Sequence, residues 1–166
     1  MGYDECVSKD GLECRLARGW GGTRFERGLD GAQEYEPGIV RDVSLNLMKT
    51  TLLVEHKNEV RIRTKWFLTN FGYAVDSASS AEEALARFDP KLHDIVITDN
   101  MMPGLKGTEM AHIIKLRSCS TPVLMYTGLP PEDQSCLDIV VERNEELLVL
   151  KQAVEWALAI PVPASA

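Results

Sequence analysis

The chain has 166 residues, with 18 basic against 25 acidic side chains and a net charge of -7. That length suits one domain with a real core rather than two, and the acidic balance excludes a general basic surface for nucleic acid. Cys6, Cys14, Cys119 and Cys136 form no CxxC pair and have no histidine at zinc-finger spacing, which fits reduced thiols in a cytoplasmic protein. No apolar run approaches the roughly 18 residues of a membrane span, and the N-terminus lacks an apolar signal core, so neither a membrane nor secretion is expected.

Residues 1–47 hold most of the glycines, scattered charges and no sustained helical or alternating pattern. They read as a disordered or weakly ordered leader. The character changes at Met48, where "MKTTLLVEH" looks like the opening of a strand-first domain, so Met48 is a candidate true start. A short regulatory leader is the other reading. The domain is expected to run over 48–160, with 161–166 a flexible tail.

From residue 50 short apolar runs alternate with helix-like segments. "TLLV" (51–54), "YAVDSA" (73–78), "DIVIT" (94–98), "PVLMY" (122–126) and "DIVV" (138–141) are strand candidates, most of them nearly continuous in apolar residues, as strands covered on both faces should be. Between them, Val60, Thr64, Phe67, Leu68 and Phe71 recur at helical spacing, with Gly72 as the C-terminal cap. Ser80 and Glu83 form a capping box for a second helix ending near Phe88. A third helix is predicted over about 108–117 and a last one over about 144–159, where "PVPAS" ends it.

Alternating strands and helices imply an α/β fold, a doubly wound parallel sheet with right-handed crossovers. Such sheets gather functional groups beyond the carboxyl ends of their strands. Asp99 follows one apolar run in "IVITDNMMPGLKG", and Glu55 and His56 follow another. An aspartate in that place can be a nucleophile that accepts a phosphoryl group as an acyl phosphate. Two anionic groups approach each other only with a divalent cation to offset their repulsion. Magnesium, which wants hard oxygen ligands, can take carboxylates from Glu55 and Asp99. The hydroxyl of Thr127, just after "VLMY", is placed to bond a phosphoryl oxygen.

"TLLVEHKNEVR", "IVITDNMMPGLKG" and "PVLMYTG" together resemble, in order and spacing, three strand ends of response-regulator receiver domains of two-component signalling. The resemblance covers about residues 50–158. It implies a flavodoxin-like, five-stranded sheet in the order 2-1-3-4-5. It also implies a phosphoryl group taken by Asp99 from a histidine kinase or phosphotransfer protein, a Met101 backbone carbonyl on Mg2+ (with Mn2+ or another divalent ion as an alternative), and a Thr127 hydroxyl that moves on phosphorylation. On this reading the chain is a stand-alone receiver with an unknown downstream protein partner.

Several residues depart from that pattern. Receivers carry two acidic residues where this chain has Glu55 and His56. The imidazole either shifts the metal preference towards zinc, nickel or copper or stands beside a weakened site. Glu142 falls where the family has a lysine, with Arg143 or Lys57 as possible replacements, and Ile139 falls where it has an aromatic residue. Only "GLPPEDQSCL" separates Thr127 from the last strand, which predicts a shortened fourth helix of one or two turns. These departures keep open a degenerate receiver that binds partners without phosphorylation. A small aspartate-nucleophile phosphatase is disfavoured, because the second aspartate such enzymes place two residues on is Met101 here. His93 and His112 read as incidental, and the side chains of Met101, Met102 and Met125 as packing.

Overall fold

The structure, a computed structural model, describes residues 23–24, 48–143 and 146–159. Its strands are β1 (Thr23–Arg24), β2 (Thr50–Val54), β3 (Ala74–Ala78), β4 (Ile95–Thr98), β5 (Val123–Thr127) and β6 (Ile139–Glu142). All pair in parallel, in the order β1-β6-β5-β4-β2-β3. Counted from Thr50, the five expected strands therefore lie in the order 2-1-3-4-5, each within a residue of its predicted place.

The helices are α1 (Asn58–Asn70), α2 (Ala81–Arg87), α3 (Gly107–Arg117) and α4 (Leu147–Ala159). Alternate residues of each central strand point to opposite faces. Leu52, Val54, Val96, Val123, Met125 and Val140 pack with α2 and α3. Leu53, Ile95, Ile97, Leu124, Tyr126 and Ile139 pack with α1 and α4 on the other face. Continuous apolar runs are the consequence of this two-sided burial, and they leave chemistry to the strand ends.

Local chemistry sets the helix ends. Gly72, at φ 85°, takes the left-handed position that ends α1, and its N–H donates to the Thr69 carbonyl at 3.0 Å. Ser80 caps α2 by accepting from the Glu83 N–H at 3.2 Å, while the Glu83 carboxylate accepts from the Ser79 N–H and hydroxyl, both at 2.7 Å. The Ser79 donors hold the Glu83 carboxyl below its usual range. Ser80→Ala is expected to cost about 1 kcal/mol, read as a lower urea midpoint at unchanged m-value.

The predicted short fourth helix is not formed: among the described residues, 128–138 are bends, turns and irregular chain. Leu129 and Pro130 each precede a proline, which disfavours helical backbone there. Asp133 then takes the Ser135 N–H at 3.0 Å and Gln134 donates to the Pro131 carbonyl at 3.1 Å, so local polar bonds compete with helix formation. This connection runs beside α3, where Cys136 Sγ lies 3.4 Å from His112 Nδ1 at the edge of a groove of about 390 Å³.

The sheet also carries one strand more than expected. Thr23 and Arg24 pair with Ile139 and Val140, on the outer side of β6. An edge strand presents unpaired N–H and C=O groups to any extended segment that reaches it, and two residues are too few to leave an alternating pattern in sequence. The rest of the predicted leader and the 161–166 tail lie outside the described residues.

Candidate functional site

Strand register brings the two carboxylates together. Val54 pairs with Thr98 across β2 and β4, so Glu55 and Asp99, each one residue further on, leave the sheet side by side. The ladder holds them there: the Asp99 N–H donates to the Val54 carbonyl at 3.0 Å and the Glu55 N–H to the Ala78 carbonyl at 3.1 Å. Both side chains are deeply buried, with residue exposures of 3% for Glu55 and 4% for Asp99. Two buried carboxylates need a cation or a full set of donors.

Arg143, in the turn after β6, supplies the cation. Its Nη2 donates to Glu55 Oε2 and, at 3.1 Å, to the Tyr126 carbonyl, and it lies 3.4 Å from Asp99 Oδ1. The guanidinium also sits 5.4 Å from the centre of the Tyr126 ring. Its own N–H donates to the Thr127 carbonyl at 2.8 Å, which fixes where the side chain starts. Of the two replacements foreseen for the absent lysine, Arg143 reaches the carboxylates. Lys57 contributes its backbone N–H, which donates to Glu55 Oε1 at 2.8 Å. Asp99 Oδ1 accepts likewise from the Asn100 N–H at 2.8 Å.

His56 completes the cluster from the opposite side. Its Nδ1 lies 3.3 Å from Glu55 Oε1 and 3.8 Å from Asp99 Oδ2, yet it is buried without a hydrogen-bond partner. Donor atoms of Glu55, His56 and Asp99 all lie within 4.8 Å of one another, close enough to share one cation.

Residues 51–145, more than half of the chain, match the family of response regulator receiver domains. The chain belongs to that family. TrrA of Thermotoga maritima, a response regulator solved with Mg2+ and BeF, is 31% identical and superposes with a TM-score of 0.63 over 67% of this chain and 100% of its own. It has also been solved in complex with the histidine kinase ThkA. Among curated relatives, a probable transcriptional regulator ycf27 of Guillardia theta is 34% identical over 88 residues, 53% of this chain and 34% of its own. The sensory transduction protein RegX3 of Mycobacterium tuberculosis is 33% identical over 85 residues, 51% of this chain and 37% of its own. The receiver thus spans about a third of the length of the curated relatives it matches.

Thr127 ends β5 beside the receiver's acidic cluster and is 1% exposed, with its hydroxyl accepting from the Leu129 N–H at 3.3 Å. Met101 lies two residues past Asp99 and is 54% exposed, so its side chain is not the packing group expected, whereas Met102 and Met125 are buried. Glu142 pairs with Thr127 in the ladder, and Ile139 is locked in the α1–α4 core. Burial raises the Tyr126 phenol above its usual pKa, partly offset by Arg63 and Arg143. His93 stacks on Phe88 with ring centres 6.1 Å apart and engages the Asp89 backbone, a structural role.

Gly107 is the residue whose importance the sequence did not disclose. A Cβ there would lie 2.0 Å from the Asp99 carbonyl oxygen, so α3 starts in contact with the Asp99 backbone. The glycine in "GLKG" marks a turn, but nothing local says what it touches. The loop between them is held by Glu82, whose carboxylate accepts from the Leu105 N–H at 3.1 Å beside Gly104, at φ 79°. Backbone N–H groups of Glu82 and Leu105 keep that carboxyl below its usual range.

Proposed function

We propose that this receiver accepts a phosphoryl group on Asp99 from the phosphohistidine of a histidine kinase or phosphotransfer protein, and passes the change to a downstream protein. The observation that carries the reading is a buried aspartate at a strand end, with a second carboxylate, an imidazole and an arginine converging on it. An Asp99 carboxylate oxygen attacks phosphorus as the P–N bond to the donor imidazole breaks, and the electron pair returns to that nitrogen. Arg143, 3.4 Å from Oδ1, offsets the charge of the incoming oxygens.

A divalent cation, Mg2+ in the family and Mn2+ as a substitute, would screen the two anions while they approach. The donor set can hold a divalent ion, with one nitrogen where an all-oxygen site would have another oxygen: Glu55 and Asp99 offer an oxygen each, His56 Nδ1 is buried and unpartnered, and the Met101 carbonyl is the fourth candidate ligand. The Thr127 hydroxyl, now bonded to Leu129, would turn to the phosphoryl group and release that turn. Its readout is a population shift between two surface arrangements.

Intact mass after incubation with acetyl phosphate and Mg2+ or Mn2+ tests the proposal. Wild type gains one phosphoryl group and Asp99→Asn gains none. A second reading, a phosphorylation-independent binding module, is favoured by Arg143 already engaging the carboxylates and by the helix missing between β5 and β6. Unmodified wild type in both ions would decide for it.

A further inference from the structure

The two carboxylates divide their oxygens between two sides. Arg143 engages Glu55 Oε2 and lies near Asp99 Oδ1, whereas Glu55 Oε1 and Asp99 Oδ2 face His56 Nδ1 at 3.3 and 3.8 Å. Around a tetrahedral zinc-type ion with bonds of about 2.0–2.1 Å, neighbouring ligand atoms lie roughly 3.3–3.4 Å apart. The two separations from the imidazole are near that value, and the three atoms lie within 4.8 Å of one another, so an ion that draws the two carboxylate oxygens inward would touch all three. Arg143 need not leave to admit it. It holds the outer oxygens and turns the inner ones towards the imidazole, while the buried Nδ1 has no other partner.

We propose that Glu55, His56 and Asp99 form a site selective for imidazole-seeking transition ions of the zinc and nickel class over magnesium, with His56 Nδ1 as the discriminating ligand. The proposal rests on the functional reading only in taking this cluster as the receiver's cation site. It names the class of cation and does not require phosphorylation. An all-oxygen set suits magnesium, which dehydrates reluctantly and demands near-octahedral oxygen geometry. Exchanging one carboxylate for a neutral imidazole removes a charge that magnesium needs and adds a nitrogen donor that nickel and zinc prefer.

Calorimetric titration of the full chain with Ni2+ and Mg2+ tests this, because nickel reports on the imidazole with less interference from the cysteines than zinc. Nitrogen and oxygen sites generally favour nickel, so the informative quantity is the change in the Ni2+/Mg2+ affinity ratio on substitution. His56→Asp, which restores an all-oxygen set, is expected to lower the ratio by about 100-fold, with Ni2+ weaker and Mg2+ tighter. His56→Gln is expected to weaken Ni2+ without strengthening Mg2+, and Asp99→Asn to weaken both. Circular dichroism of each variant confirms that the fold is kept.

A ratio unchanged in His56→Asp, or Ni2+ binding indifferent to Asp99→Asn, would overturn the proposal. Acetyl phosphate labelling of the same preparations separates the two readings. Labelled Asp99 with an unchanged ratio removes His56 from the ligand set and leaves phosphorylation standing. A collapsed ratio without labelling supports the ion site and removes phosphorylation.

Discussion

Gly107→Ala is expected to lower stability by about 3 kcal/mol or more, at the upper end of overpacking costs. The added carbon would meet the Asp99 carbonyl oxygen at 2.0 Å, the Asp99 carbonyl carbon at 2.9 Å and the Asn100 Cα at 3.0 Å. All three are backbone atoms at the end of a central strand, so no side chain can swing aside. Either α3 moves off the sheet, and with it the buried Met110, Ala111 and Ile114, or the Asp99 segment moves and disturbs the site. Urea unfolding followed by circular dichroism measures the first effect, and acetyl phosphate labelling at a concentration of urea where both proteins are folded measures the second. Gly128→Ala is the control, since a Cβ there meets nothing within 4 Å. Its expected cost is within about 0.5 kcal/mol. Equal losses for the two glycines would show that the contact with Asp99 is not the cause.

Arg143→Ala should also be costly, about 3–5 kcal/mol, because it removes one partner of a buried ion pair and leaves the other charge behind. Glu55 and Asp99 are 3% and 4% exposed, and without Arg143 they keep the backbone N–H groups of Lys57 and Asn100, with His56 alongside. Arg143→Lys keeps the charge but not the planar fork or the stacking over Tyr126, so an intermediate loss is expected. A double-mutant cycle with Glu55→Gln isolates the pair: losses should be strongly non-additive, the second change being mild once the first is made. Additive losses would mean that Arg143 acts through Tyr126 and the β5 backbone instead. A divalent ion that binds the folded site should restore part of the loss, about 2.7 kcal/mol at a concentration a hundred times its Kd.

Arg143 also changes how the site connects to the surface. It follows β6 directly, its N–H bonds the Thr127 carbonyl and its side chain spans Tyr126 to Glu55. A phosphoryl group on Asp99 would compete for that guanidinium and pull on the end of β6. β6 carries β1 on its outer side, and the stretch before it has no helix among the described residues. Any partner that reads this face meets a surface unlike one built around a packed fourth helix.

Element order and type were legible in the sequence because each rests on a local pattern. Continuous apolar runs marked the buried strands, Gly72 and Ser80 marked helix ends, and the position of Glu55 and Asp99 directly after such runs placed both at carboxyl ends of parallel strands, while the strand order that makes those strands neighbours came with the likeness to receivers. The likeness to receivers rested on those same short segments. What only the tertiary structure decided depends on residues far apart in the chain. Arg143 and Glu55 are 88 positions apart, and no periodicity distinguishes Arg143 from Lys57 as the cation that arrives. Gly107 looked like a turn glycine until the Asp99 carbonyl was seen against it. His56 could have faced solvent beside the site; its unpartnered Nδ1 instead faces two carboxylates, because the strand register sets all three groups at one edge. The missing helix and the added β1 have the same origin: prolines and an aspartate turn outweighed weak helical propensity over 128–138, and an open strand edge was paired by a segment too short to show a pattern.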